Sequence, residues 1–525
     1  MKHRKIVNLD GRDCEKDGCS KSDERQFDKP IELQDDSSVG YRVEDYFDLS
    51  IGAGVGVGLS WDNVSTAASL GGIGFSLVPT IGTKAKVVRY ADSREEVDEL
   101  PRRAYMPRHA QDVLDWKTGT IYDYSVSGGI RAGIGASYAG AVSVGISYAF
   151  KGEWKYYIEK QDDGFVFVKV TKGKLHEVSG SLNFAAITSL SVSKFRNVDD
   201  AWSFRVDLNY DEGQEIYERL IRGDLVPAEK AVEEGLGLYV TRVDHIKRVS
   251  VGRKLSAGVG VPIFISKKWS QGLIHTKAIQ NLYEENERYD IDLGTFHQGS
   301  VYRRIGKQVN QQKSFVATRI SGDDGYTDYS GQFTWKFSTT SAWMPRVTKE
   351  LKKLYKLIGF HKNLSVIFPK EKIKGYVGAK FEIDFSEDAT DALMRLQQNQ
   401  KGFLTQMGSM MHDSYFKKNK DSQDICKTRV CEKIWSKRIK RALTKAGKSL
   451  TNMMNFKKEG NHKGFVKSYA NFAKHAFKNM FTLRAVLSSI CEPIRISYKL
   501  EGESFAFKKS NLSLNGKHCL VNKLR

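Results

Sequence analysis

Proline is scarce, with nine residues in 525, so long uninterrupted strands and helices are permitted. No run of about 18 apolar residues occurs anywhere in the chain, which excludes a helical membrane span. The opening stretch MKHRKIVNLDGRDCEKDG is basic at its start but lacks the apolar run of about 7–15 residues that a signal peptide needs. It is therefore not expected to act as an export signal as written, and for an exported protein the signal would have been removed or not included in this start.

Signatures of chemistry are missing as well. Eleven histidines are scattered without an H-E-x-x-H pattern or a paired metal spacing, and G-x-S-x-G is absent. His412, Asp413 and Ser414 are contiguous, whereas a triad is assembled from residues distant in sequence. The acidic stretch SGDDGYTDYSG reads as a solvated hairpin tip, since it lacks the residue order of a calcium loop. No catalytic residue, cofactor site or metal site is expected. Six cysteines form two C-x4-C pairs, Cys14/Cys19 and Cys426/Cys431, plus Cys491 and Cys519. Three disulfides, free thiols and a zinc site all stay open, because the spacing decides none of them.

Forty per cent hydrophobic and 11% aromatic residues exclude general disorder. The net charge of +21 favours polyanionic partners such as anionic lipid, lipopolysaccharide phosphates or nucleic acid. Most of it is local: Lys417 to Lys478 holds 18 Lys and Arg against 4 Asp and Glu, a net +14. There, KIWSKRIKRALTKAGKSL sets Lys437, Arg438, Lys440, Arg441 and Lys445 around Trp435, Ile439, Leu443 and Ala446. A basic amphipathic helix of this kind suits an anionic lipid or lipopolysaccharide surface. Specific nucleic-acid recognition is not expected, and a solvated helix face packed on the sheet is the plain alternative.

The strongest pattern is a period of two. In DLSIGAGVGVGLSWDN, Leu49, Ile51, Ala53, Val55, Val57, Leu59 and Trp61 alternate with Ser50, four glycines and Ser60. A phosphate-binding loop would break that alternation, so the stretch reads as a strand with one apolar face and one nearly bare face. The run from Tyr122 to Phe150 repeats the pattern but would span more than about 90 Å if extended. A three-residue turn at 139–141 that sets Tyr138 opposite Val142 keeps the parity across a hairpin. Further alternating segments give roughly a dozen strands between 45 and 340, interrupted by one helix from Gly213 to Glu234.

The chain divides into a polar tail (1–40), an antiparallel β-rich domain (41–340), a helix with two strands (341–386), a basic helical insertion (387–492) and returning C-terminal strands (493–525). The expected fold is mainly β with an inserted α-helical subdomain, either an antiparallel β-barrel or a strongly curved large sheet with Gly and Ser on one face. In architecture this resembles outer-membrane barrels of about 12–16 strands. The resemblance implies lipid against the apolar parity, interface aromatics at Phe47, Trp61, Tyr122, Tyr124, Tyr148 and Phe150, and small residues facing a lumen that the helical block could fill. It implies a non-catalytic structural, transport or surface-interaction protein of the outer membrane or cell envelope, of undetermined oligomeric state. A soluble secreted or periplasmic β-rich protein, and a pore former inserting Gly/Ser-rich hairpins, are the alternatives.

Overall fold

Long alternating segments form antiparallel strands because both parities of each segment can be used at once: the apolar side chains gather on one face while the backbone pairs laterally. In a computed structural model of the chain, residues 2–8, 41–52, 72–101, 106–138, 142–184, 188–235, 239–261, 265–304, 307–339, 377–396, 429–477, 494–502 and 509–514 are described, with the single residues 402, 405, 483, 486, 487 and 490. The protein is mainly β. Its contacts divide it into two units, Met1–Val259 with Lys277–Ile291 and Gly322–Gly325, and Gly260–Thr276 with Asp292–Ser321 and Tyr326–Arg525.

The first unit is built on β1 (Lys2–Asn8), β2 (Tyr41–Gly52), β3 (Gly72–Ala91), β4 (Ile121–Tyr138), β5 (Val142–Lys160), β6 (Phe165–Phe184), β7 (Thr188–Asp207) and β8 (Val240–Val261). Each pairs antiparallel with the next in the chain. Tyr138 stands opposite Val142, the register that parity requires. The N-terminal tail is corrected in part. Lys2–Asn8 pairs with β2 from Lys2↔Phe47 to Asn8↔Tyr41, because ladder hydrogen bonds come from the backbone and need no apolar side chains.

Short helices punctuate this unit: α1 (Arg94–Glu99), α2 (Ala110–Leu114), α3 (Asp211–Ile221) and α4 (Val226–Glu233). The single helix expected over Gly213–Glu234 is two. Gly223 takes a positive φ of 85° after α3, and Pro227 lies in the first turn of α4, where its missing N–H costs nothing. The predicted stripe Ile216, Leu220, Ala228 and Ala231 is buried across both helices.

In the second unit, β11 (Lys307–Gly322), β12 (Thr327–Thr339), β13 (Val377–Phe385), β14 (Ile494–Gly502) and β15 (Lys509–Leu514) pair in chain order. Two further strands, β9 (Ile265–Leu282) and β10 (Glu287–Arg304), precede them. SGDDGYTDYSG turns β11 into β12, as expected of a hairpin tip. The helical block is an insertion in a hairpin. Phe385 at the end of β13 pairs with Ile494 at the start of β14, and between them lie α5 (Glu387–Arg395), α6 (Arg429–Lys458) and α7 (His462–Ala476). The helix and first strand expected in 341–376 lie outside the described residues.

This block covers aromatic side chains of the sheet. Phe315, Phe333, Trp335, Phe337, Phe381, Ile383 and Phe385 are buried against Phe465, Tyr469, Phe472, Ala473 and Phe477. Ring centroids lie 4.7 Å apart for Phe315–Tyr469, 4.5 Å for Tyr329–Phe465 and 5.6 Å for Phe385–Phe477. Each fully buried side chain here contributes about 1.5–3 kcal/mol relative to exposure, which fixes α7 on the strands. The expectation that the helices would meet a Gly/Ser parity is thereby corrected in this unit, where they meet the aromatic one. Two glycines allow the approach: a Cβ at Gly294 would fall 2.0 Å from the Val466 carbonyl oxygen, and one at Gly331 would fall 2.8 Å from the Tyr469 hydroxyl. Gly294→Val therefore forces α7 off the sheet. We expect a loss of about 2–3 kcal/mol in chemical denaturation followed by near-ultraviolet circular dichroism, whereas Gly128→Ala, with open space around it, leaves the midpoint unchanged.

Candidate membrane-facing surface

The apolar parity of β4–β8 meets two different surroundings along one strand. Toward the β4–β5 hairpin end the described residues leave it uncovered: Val144, Ile146, Tyr148 and Phe150 on β5, Val178 on β6, Leu190 and Val192 on β7, and Leu255 and Val259 on β8 are all exposed, Ile146 at 64%, while Val251, also exposed, lies past Arg253 on β8. The registers make this one continuous zone, since Tyr148 pairs with Val178, Val144 with Leu182, Leu182 with Leu190, and Val192 with Leu255. Beyond Trp154 the same parity disappears under helices. Tyr156, Ile158, Val166, Val168, Val170 and Phe204 are buried with Ile216, Tyr217 and Leu220 of α3 and Ala228 of α4. Tyr217 anchors that cover: its hydroxyl donates to the Pro107 carbonyl at 2.8 Å, and burial holds its pKa well above the ordinary value, with Asp112 adding to the shift.

Toward the same hairpin end the opposite parity of β5–β8 is mostly small and polar. Ser147 lies across from Ser179 with hydroxyls 2.7 Å apart, Ser179 across from Ser193, Ser181 across from Ser191, and Ser191 across from Ser256 with hydroxyls 2.5 Å apart. A serine ladder satisfies its own hydroxyls laterally and projects little side-chain volume.

The six aromatics expected at an interface fall into three groups. Tyr148 and Phe150 stand exposed at the edge of the apolar zone, joined by His176, whose Nδ1 is 2.7 Å from the Tyr148 hydroxyl and whose ring is 4.9 Å from Phe150. Tyr122 is corrected: it is 1% exposed, a core residue beneath the helices, and Phe47 and Tyr124 pack against the same cluster. Trp61 lies outside the described residues, as does all of DLSIGAGVGVGLSWDN past Gly52. Sequence reading missed Trp154 and Trp202, which border the helix-covered core, Trp154 carrying Lys172 over its ring at 5.0 Å and Trp202 stacking on His245 at 5.3 Å.

Of the predicted basic cluster, Lys437, Lys440, Arg441 and Lys445 are exposed on α6 while Ala446, Leu450 and Met453 are buried on its other side. Arg438 belongs to the same helix, and its side chain is outside the described residues. At the α7 start, the Tyr329 hydroxyl lies 3.0 Å from His462 Nδ1, and partial burial followed by the Arg319 charge lowers the histidine pKa. On a loop of the first unit, Lys117 binds Glu96 at 2.6 Å, lowering the glutamate pKa and raising its own. Among the described residues no group of His, Cys, Asp and Glu is placed to hold a metal ion. The six cysteines lie outside the described side chains.

No protein-family model matches the chain, and no curated protein matches it. A solved structure it resembles is that of the ferric citrate transporter FecA in the unliganded form, at 7% sequence identity and a TM-score of 0.23, over 67% of this chain and 57% of that one. The chain thus spans less than two thirds of that protein's length, and likeness at this level assigns neither fold nor function.

The exposed zone generates a sharp test. On a water-facing surface Ile146→Arg changes stability by no more than about 0.5 kcal/mol, but facing lipid near the bilayer midplane it costs about 2–4 kcal/mol. We expect the larger loss in denaturant titrations of the protein in phospholipid vesicles, and none for Ser147→Thr on the serine face.

Proposed function

We propose that this protein is a non-catalytic component of the cell envelope whose antiparallel sheet sits in the outer membrane as a β-barrel, with a structural, transport or surface-interaction role. The observation that carries this reading is the uncovered apolar zone on β5–β8, backed by a serine and glycine parity. In water that zone would be an aggregation liability, and a lipid acyl phase is its natural complement.

The edge of the zone adds support. On β5 the exposed apolar run reaches Phe150, on β6 it stops at Val178 before His176 and Lys174, and on β7 it stops at Val192 before Lys194. Since Val178 pairs with Tyr148 and Val192 with Gly180, the edge recedes by one residue pair per strand from β5 to β7, and on β8, where Leu255 pairs with Val192 ahead of Arg253, it stays level. Two such steps over three strand intervals average about 4.5 Å along the strand for about 4.8 Å across the sheet. A plane cutting strands tilted by roughly 45° makes such a staircase, and membrane barrels tilt their strands by about that much.

A soluble β-rich protein that binds anionic lipid is the second reading, favoured by the helical cover that α3 and α4 give to half of the same sheet face. Cell fractionation separates the two. The barrel reading predicts recovery in the membrane fraction after carbonate washing and a heat-dependent shift on SDS gels; recovery wholly in the soluble fraction, with identical migration before and after boiling, contradicts it.

A further inference from the structure

Between the exposed apolar zone and the helix-covered core, the same face of β6–β8 carries a cationic strip. Lys172 and Lys174 stand on β6, Lys194 and Arg196 on β7, Lys247 and Arg253 on β8, and all six are exposed. They are far apart in sequence and become neighbours through register: Lys194 pairs with Arg253, Lys174 with Val198, and Lys172 with Asp200, which pairs with Lys247. On this face of β5–β8, from the hairpin ends to the Trp202 row, Asp200 is the one acid, and its carboxylate is taken by His245 at 2.6 Å. Lys172 caps the Trp154 ring, and no ion pair among the described residues neutralises the other five.

We propose that this strip is a docking surface for the phosphates of an anionic phospholipid leaflet. The inference rests on the membrane reading above and goes beyond it by placing the headgroup plane and its charge on the strands, not on α6. Three features select this occupant. Six cations against one engaged acid complement a sheet of phosphates, and two of them are arginines, whose planar fork binds phosphate oxygens in pairs. The strip adjoins uncovered apolar side chains, so acyl chains and headgroup have adjacent places on one surface. Tyr148 and Trp154 line the β5 border with Phe150 between them, and Tyr and Trp are the amphipathic aromatics that suit a membrane–water boundary. A nucleic acid would use the phosphate contacts but has nothing to lay against Ile146 and Val192.

The test compares uptake of the full chain, diluted from detergent, by phosphatidylcholine vesicles with and without phosphatidylglycerol. The wild type is expected to prefer the anionic vesicles, and Lys194→Gln/Arg196→Gln/Arg253→Gln to lose on the order of 100-fold of that preference. The charge-keeping Lys194→Arg/Arg196→Lys/Arg253→Lys is expected to retain it, as is Lys437→Gln/Arg441→Gln/Lys445→Gln on α6. Equal wild-type uptake by both vesicles would overturn the headgroup site while leaving the membrane reading intact, and no uptake by either would overturn both. Loss of preference in the α6 variant alone, or release of vesicle-bound protein by single-stranded DNA, would also overturn it.

Discussion

A strand of about twenty residues presents its apolar side chains on one face for its whole length, and something must lie against all of them. That constraint organises this protein. β5 to β8 run 19, 20, 20 and 22 residues, about twice what is needed to cross a bilayer. Helices cover one half of their apolar parity and leave the other half bare. In the second unit the same requirement is met by α7, which closes over Phe315, Phe333 and Phe385 through the space left by Gly294 and Gly331.

The two kinds of cover have different chemistry at their border. Where helices take over from the bare zone, the sheet face changes from Val, Ile and Leu to Lys, Arg, His and Trp before becoming core again. Such a border is costly in a uniform medium, because cations beside uncovered apolar groups serve neither water nor oil well. It is economical where the medium itself changes, from acyl chains to phosphates to water. The serine ladder behind it keeps the strands paired with little side-chain bulk.

Much of this organisation is legible in sequence, for a definite reason. Period-two alternation is local, so the second strand expected within 341–386 is present as β13, Val377–Phe385, and the Tyr138–Val142 register follows from parity alone. The hairpin insertion was legible because helical spacing replaces alternation at Glu387 and strands resume at Ile494. What stayed hidden is non-local. Tyr122 and Tyr148 have the same sequence surroundings, and only the arrival of α3 from about ninety residues away makes one a core residue and the other a surface one. α1 and α2 are too short for a periodic signal, although Ser93 is a local N-cap for α1, its hydroxyl accepting from the Glu96 amide at 3.1 Å while the Glu96 carboxylate accepts from the Asp92 amide at 2.8 Å. The cationic strip is invisible until register assembles it, whereas the basic run in α6 is conspicuous because it is contiguous.

What touches the even positions of β5 decides between lipid and water around this sheet. Spin labels placed singly at residues 143–150 in vesicle-reconstituted protein measure this directly, through collisions with oxygen, which concentrates in lipid, and with a water-soluble nickel chelate. A sheet facing lipid gives a period-two profile with 144, 146, 148 and 150 oxygen-accessible and shielded from nickel, and with 143, 145, 147 and 149 out of phase. Nickel accessibility at Ile146 equal to that of a water-facing loop site such as Asp162 would contradict it.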